Sequence, residues 1–390
     1  MLRIAFLLSF VAAFSFADTI TNKETGEVYT GFTTQETDSE KTCIVSREAG
    51  KFEADLSNYD LQLNEEGREN KIVVFKIDSE IHSDIETSAL EKAIVEESNK
   101  GPLAILFEID TPGGRVDLAK RICSVLVKTD NCKVVAFISG GNNGGAYSAG
   151  AAVSMACDNI YMAPGSCIGA ATAIISSANG ATDMKKVFGE TVGEKFGSAW
   201  RNYLASLAEQ GGRPNGLAKA MAEKDIEILE VQRAGEKLYI ESNRKEKDDE
   251  VVRVFCPAGT LLTLTSRDAL ACGMSDGECE SRDFVVSKLT NSAPEVVESK
   301  CIDEAREELD KVTKRFKLLE GRIRKEIIQI NVRHEQRRLY RSDALRSLKE
   351  LGKNADFLLN LKKKYPDVPV SEEELEDLKS EVDGLMAAMQ

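Results

Sequence analysis

Three glycine-rich turns carry the residues whose types and spacing suit chemistry. In Gly144-Gly145-Ala146-Tyr147-Ser148-Ala149-Gly150-Ala151, a serine stands among small residues where a strand pattern gives way to a helix pattern. Small neighbours relieve crowding where a sharp strand-to-helix turn presents a hydroxyl, the arrangement of a nucleophile elbow. The strict elbow has glycine where Ala146 stands, so this is a related form. A serine at a helix start is also an ordinary cap for the orphan N–H groups of the first turn.

The other two turns flank it in sequence. Asp110-Thr111-Pro112-Gly113-Gly114-Arg115 places two glycines between a strand and a helix. Such a turn leaves N–H groups near a helix start that can hold an anion or a developing oxyanion. A tight βα turn with no further role reads the same way. Pro164-Gly165-Ser166-Cys167-Ile168-Gly169-Ala170-Ala171 follows the next strand pattern. Its small residues suit close packing behind the serine helix, the border of a substrate groove, or a plain turn.

The elements that must position these turns alternate regularly. Strand patterns at Ile72 to Ile77, Leu103 to Ile109, Val134 to Ile138 and Ile160 to Ala163 alternate with helix patterns at Ile85 to Glu97, Val116 to Val127 and Ala146 to Ala156. That order predicts βαβ units and a mainly parallel sheet, with sites at the carboxyl ends of its strands. Residues 194–224 read as helical, and 225–258 as a charged insertion or flap. Thr265 is placed to cap a short helix, with Asp268 three residues on and Gly273 closing it.

The ends differ from this middle. An apolar run from Ile4 to Phe14, with Arg3 before it and small Ser15 and Ala17 after it, reads as a secretory signal over residues 1–17. The chain is therefore expected to be exported, to the periplasm or outside the cell. Residues 18–69 suggest a small β element. Toward the other end, Ala305, Leu309, Val312, Phe316, Leu319 and Ile323 form a heptad seam. Segment 311–364 holds 17 Lys/Arg against 6 Asp/Glu, whereas 365–390 holds 8 acidic residues and one Lys, with Pro366 and Pro369 between the two helical patterns. A helical hairpin with facing or solvated charges accounts for this, as does an oligomerisation or docking arm.

Composition excludes several classes. A net charge of −14 argues against nucleic acid as a partner. With two histidines and no CxxC, a Cys/His zinc site is not expected. No GxxxxGK[ST] loop occurs, so neither ATP nor an ATPase partner is implied. Nine cysteines in an exported chain lead to an expectation of some disulfide pairing, with Cys123/Cys132 and Cys272/Cys279 close in sequence.

Taken together the three turns resemble the NfeD group of Clp-class serine peptidases, relatives of ClpP and of signal peptide peptidase A. The resemblance rests on Asp110 to Gly114, Ala146 to Gly150 and Ala163 to Ala170, and resumes at Leu261-Leu262-Thr263-Leu264-Thr265. It implies an α/β fold, the ClpP/crotonase-like spiral of βαβ units, over residues 70–292, with a charged helical, coiled-coil-like arm over 293–390. It also implies Ser148 as nucleophile, oxyanion donors at the N–H groups of Gly114 and Ala149, and no cofactor. No histidine lies between Ser148 and His334, so the implied base is a lysine, chosen among Lys185, Lys186 and Lys195. The family's lysine precedes a helix like Ser206-Leu207-Ala208-Glu209-Gln210-Gly211-Gly212-Arg213, and its spacing lands on Lys195, with Val192, Phe196, Ala199 and Trp200 as a prospective dry pocket. The resemblance points to a polypeptide substrate, in apolar segments of exported or membrane proteins, and to a homo-oligomer. Two other readings stay open: a catalytically silent scaffold that binds partners through its arm, and a crotonase-type acyl-CoA enzyme.

Overall fold

The computed structural model describes residues 18–34, 41–46, 49–62, 69–177, 180–290, 293–336 and 340–389. The expected signal, residues 1–17, lies outside them. The chain divides into two units, Met1–Ile81 with Ala93–Ser299, and His82–Lys92 with Lys300–Gln390.

The first unit opens on an antiparallel sheet of β1 (Asp18–Asn22), β2 (Val28–Thr34), β3 (Lys41–Ser46), β4 (Gly50–Asp55) and β5 (Tyr59–Gln62), in the order β4-β3-β2-β1-β5. One face is apolar: Ile20, Ile44 and Ala54 are buried, with Tyr29, Phe52 and Tyr59 packed against them.

Strands and helices then alternate as β6 (Glu69–Ile77), α1 (Asp84–Ser98), β7 (Pro102–Ile109), α2 (Val116–Leu126), β8 (Lys133–Ile138), β9 (Gly145–Tyr147), α3 (Ala149–Met155), β10 (Asn159–Met162) and β11 (Cys167–Gly169). The helix expected from Ala146 begins three residues later, because Gly144, Gly145 and Ser148 all have positive φ and a helix cannot run through them. After the short hairpin β12 (Ile174–Ser177) and β13 (Gly180–Asp183) come α4 (Met184–Phe188), α5 (Glu190–Gln210) and α6 (Asn215–Ala222). The single helical stretch expected over 194–224 is broken at Gly211-Gly212-Arg213-Pro214, where Pro214 cannot continue α5.

The expected flap is a three-stranded antiparallel sheet, with β14 (Ile228–Arg233) between β15 (Glu236–Glu241) and β16 (Glu250–Cys256). The unit closes with β17 (Thr263–Thr265), α7 (Ser266–Ala271), β18 (Gly277–Glu278), α8 (Arg282–Leu289) and β19 (Glu295–Glu298). Thr265 caps α7, its side chain accepting from the Asp268 N–H.

Six of these strands form one sheet in the order β18-β10-β8-β7-β6-β19, and every neighbouring pair is parallel. Its central strands are covered on both faces, which is why Ile105, Leu106 and Phe107 in β7 run consecutively apolar and fully buried. Phe75 of β6 stacks on Phe107 with ring centroids 5.4 Å apart. A second sheet, β17-β11-β9, gathers the serine segment and the third turn.

The helical unit begins at Lys300 rather than at 293, because Glu295–Glu298 pairs with β6 at the sheet edge. It comprises α9 (Cys301–Glu335), α10 (Arg341–Lys364) and α11 (Glu372–Ala388) together with residues 82–92. The heptad seam packs inside this unit. Phe316, Ile323, Ile327 and Ile330 are buried in one cluster with Leu348, Leu351 and Leu358 of α10 and Leu375, Leu378 and Val382 of α11. One ion pair sets basic α10 against acidic α11, Lys363–Glu372 at 3.9 Å, and a second runs the other way, from Lys379 of α11 to Asp356 of α10 at 3.6 Å.

The expected disulfides do not form among the described side chains. Cys123, Cys157, Cys167, Cys256, Cys272 and Cys279 are all free thiols. Cys123 and Cys272 are buried, and burial pushes each thiol up to about 12. Among the described residues no helix is long and apolar enough to cross a membrane.

Candidate active site

Backbone pairing brings the three turns to one place. β11 runs parallel to β9, with Cys167, Ile168 and Gly169 beside Gly145, Ala146 and Tyr147. On the other side Thr111 bridges to Ala146, its N–H donating to the Gly145 carbonyl at 2.8 Å and its carbonyl accepting from the Tyr147 N–H at 3.1 Å. The Leu-Leu-Thr-Leu-Thr segment joins from outside, β17 pairing antiparallel with β11. Asp110, buried at the end of β7, fixes the loop before the serine: its carboxylate accepts from the N–H groups of Asn143 and Gly145 at 2.9 and 3.1 Å.

Ser148 occupies the N-cap position of α3, yet its side chain makes no capping hydrogen bond. The cap explanation for this serine therefore fails. Its φ of 52° and ψ of −113° lie where L-residues are strained, at a cost on the order of 1–3 kcal/mol that surrounding structure must offset. That structure is visible: the Ser148 N–H donates to the Gly169 carbonyl at 2.9 Å, and its carbonyl accepts from the Ala152 N–H at 3.3 Å. Ala146 is tolerated where a strict elbow has glycine because the room comes from Gly150. A Cβ on residue 150 would collide with the Thr111 Cγ2 and lie 3.5 Å from the Ala146 Cβ.

Gly113 and Gly114 have φ of 113° and 152°. A Cβ at 113 would lie 2.6 Å from the Ser148 Cβ and 3.2 Å from its Oγ, so this turn sits directly on the serine side chain. Gly114 lies against the backbone of Ile81. The Ile81 N–H donates to the Gly113 carbonyl and the Arg115 N–H to the Ile81 carbonyl, both at 2.8 Å. The Thr111 hydroxyl donates to the Ser79 carbonyl at 2.6 Å. Segment 79–81 thus clamps the turn. The Gly113 N–H is taken by the Thr111 Oγ1 at 3.1 Å. Neither the Gly114 nor the Ala149 N–H donates to another described residue, which leaves two donors of the kind an oxyanion needs.

Lys195 is exposed on α5. Trp200, five residues on, is 2% exposed and donates its indole N–H to the Ala171 carbonyl at 2.7 Å, tying α5 to the third turn. Five residues turn a helix by about 140°, so with Trp200 inward Lys195 points away from the core. Val192 and Phe196 are 44% and 48% exposed, and Ala199 is exposed too. The dry pocket expected around Lys195 is therefore absent within the described single chain. Lys186 is also exposed, and the Lys185 side chain lies outside the described residues. His82 and His334 are exposed as well. A groove of about 290 Å³ runs between α5 and the segment following the third turn, lined by Thr172, Ala173, Met184, Gly193, Gly197 and Trp200 among others.

Sequence reasoning passed over three structural residues. The carboxylate role of Asp110 and the clamp at Ile81 depend on partners 33 and 32 residues away or more. In the sequence Arg213 is only the last residue of the Ser206 to Arg213 helix motif. It is buried, and its guanidinium donates to the carbonyls of Met274, Cys157 and Asp158 and to the Asp276 carboxylate at 3.0–3.2 Å. A lone arginine in a Gly-Gly-Arg-Pro helix break was the signal for it.

Residues 71–248 match the profile of the N-terminal domain of NfeD1b. Over 234 residues the chain is 27% identical to the membrane protein NfeD1b of Bacillus subtilis, covering 60% of this chain and 44% of that protein. Over 125 residues it is 28% identical to the membrane-bound protease PH1510 of Pyrococcus horikoshii, covering 32% of this chain and 26% of that protein. The chain thus spans less than half the length of these curated relatives. Among solved structures, a serine-to-alanine variant of the 1510-N membrane-bound stomatin-specific protease aligns with a TM-score of 0.43 at 21% identity, over 59% of this chain and 98% of that one. ClpP1 of Listeria monocytogenes aligns with a TM-score of 0.32 at 15% identity, over 54% and 92%. Residues 71–248 of this chain are thus similar to the N-terminal domain of NfeD1b, and the two curated relatives it resembles are both named as membrane proteins or membrane-bound.

Proposed function

We propose that this chain is a serine endopeptidase in which Ser148 attacks a peptide carbonyl and the N–H groups of Gly114 and Ala149 receive the resulting oxyanion. The single observation that carries this reading is the backbone of Ser148: it holds a strained positive φ at a cap position while its hydroxyl caps nothing. A strained serine pressed against a double-glycine turn with two uncommitted N–H donors is costly for a scaffold and useful to an acyl-transfer enzyme. A relative carrying the name membrane-bound protease supports the same class.

Lys195 serves as the base in this reading. A lysine accepts a proton only when neutral, and a dry surrounding favours the neutral form. In the single chain Lys195 is exposed between the exposed apolar residues Val192 and Phe196. An apolar substrate segment laid along α5, or a second copy of the chain, supplies the missing cover and engages the lysine only when the site is filled. This favours substrates with apolar segments, from exported or membrane proteins, and a homo-oligomer, with the enzyme itself exported to the periplasm or beyond. No cofactor or nucleotide enters the scheme.

Fluorophosphonate labelling followed by peptide mapping tests the nucleophile. The adduct is expected on the peptide containing Ser148 and absent from Ser148→Ala. Equal labelling of the variant removes the proposal and leaves the silent scaffold as the better reading.

A further inference from the structure

The chain passes from the first unit into the helical unit immediately after Ile81. Residues 82–92 belong to it, and the residue before them, Ile81, is the clamp on Gly113-Gly114-Arg115. What holds residues 83–85 is a carboxylate from the turn between α10 and α11. Asp367 accepts through Oδ2 from the Ser83 hydroxyl and the Ile85 N–H, both at 2.9 Å, and through Oδ1 from the Asp84 N–H at 3.1 Å. Ser83 in turn accepts from the Glu86 N–H at 3.1 Å. The start of α1 is thus fastened by a residue 283 positions away in sequence.

We propose that Asp367 is a positioning residue for the oxyanion turn, acting through the two peptide units that separate Ser83 from Ile81. This rests on the peptidase reading for its kinetic consequence. The reasoning is geometric. Ile81 makes two backbone hydrogen bonds to the turn, one on each side of Gly114, and these leave the Gly114 N–H without an acceptor among the described residues. Shifting Ile81 along its axis moves both bonds together, and with them the direction of that N–H. A strand end followed immediately by a fastened helix start has little freedom to shift. Released from Asp367, the first turn of α1 loses the acceptor of two of its orphan N–H groups and frays. The link needs no surface between the two units, only the chain from Ile81 to Ser83. The helical unit thereby acquires a reason to be attached to this domain: a ligand or partner that disturbs the α10–α11 turn alters the oxyanion turn through it.

The test uses the full chain with Asp367→Ala and Asp367→Asn, and Tyr365→Phe as a control. Tyr365 lies on the same turn and donates to the Glu308 carboxylate at 2.6 Å, so its variant loosens the helical unit without touching the cap. Hydrogen exchange read at the Ile81 and Arg115 amides reports the clamp directly. Both Asp367 variants are expected to speed exchange there by about tenfold or more, leaving the Ile105 and Val135 amides of β7 and β8 unchanged, while Tyr365→Phe changes neither pair. On a cleaved peptide, kcat is expected to fall by about tenfold with KM within about twofold. Unaltered exchange at Ile81 and Arg115 in Asp367→Ala overturns the proposal, as does an equal effect of Tyr365→Phe. If the wild-type chain cleaves nothing, the peptidase reading fails while the exchange result still decides the coupling.

Discussion

Gly113 lies in contact with Ser148 so closely that residue 113 has no room for a side chain: a Cβ there would meet the serine Cβ at 2.6 Å and its Oγ at 3.2 Å. The hydroxyl and the double-glycine turn are therefore one unit, and each constrains the other. Gly113→Ala is expected to lower peptide turnover by about 100-fold, the scale of losing an oxyanion donor. The positive φ adds a destabilisation of about 1–2 kcal/mol. Steady-state rates alongside thermal melting check both, and a variant with wild-type turnover contradicts the contact's role.

The strain at Ser148 predicts a trade between stability and activity. Glycine adopts a φ of 52° freely, whereas alanine keeps the strain. Ser148→Gly is expected to be more stable than Ser148→Ala by about 1 kcal/mol, both being inactive. Urea unfolding of the pair reads the difference directly. Equal stabilities would mean the backbone there is unstrained.

Arg213 is a buried cation with five protein acceptors, four of them main-chain carbonyls. Arg213→Met removes the guanidinium from those carbonyls and leaves the Asp276 carboxylate, still bonded by the Ile160 N–H, without its cation, at an expected cost of about 3–5 kcal/mol. The loss should appear as a lower urea midpoint. A shift within error of zero would show that water replaces the guanidinium without penalty.

The flap sheet carries a pH signature. The Arg233 guanidinium, bonded to Asp249 at 2.6 and 2.8 Å, holds the Asp249 carboxyl down at about 2 from the ordinary 3.8. Because the folded value is depressed, the stabilisation is fully present above the unfolded value and is lost as pH falls through the folded one. The stability gap between wild type and Asp249→Asn is therefore expected to be constant from neutral pH to about 5 and to close toward about pH 2. Melting curves across that range test it, a gap independent of pH being the contrary result.

Lys195→Ala is expected to reduce turnover by more than about 100-fold, and Lys186→Ala by less than about twofold. Retained activity in Lys195→Ala would pass the role to Lys185 or Lys186. Rates measured on apolar against polar peptides add a second readout, since the exposed Val192 and Phe196 should favour the former.

The parallel sheet was legible because βαβ alternation is a local periodicity, and Ser148 because small residues crowd around it in a short segment. The third turn was legible for the same reason, and β9–β11 pairing puts it beside the serine. The clamp by Ile81 and the fastening by Asp367 were not, since a backbone partner distant in sequence leaves no residue-type signature. Nor could spacing reveal that Ser148 declines its cap, because that depends on a dihedral angle. The surroundings of Lys195 are not legible in sequence. Its neighbours in sequence are apolar, but the face that α5 buries is set by Trp200 binding Ala171. The heptad seam was read correctly as apolar, while its partners, α10 and α11, lie within the same chain.

The most direct test of the central claim is hydrolysis of casein, or of an apolar peptide, by the full chain and by Ser148→Ala side by side. The account predicts cleavage by the wild type and a loss of about 1,000-fold or more in the variant. Equal turnover by the two proteins would contradict it.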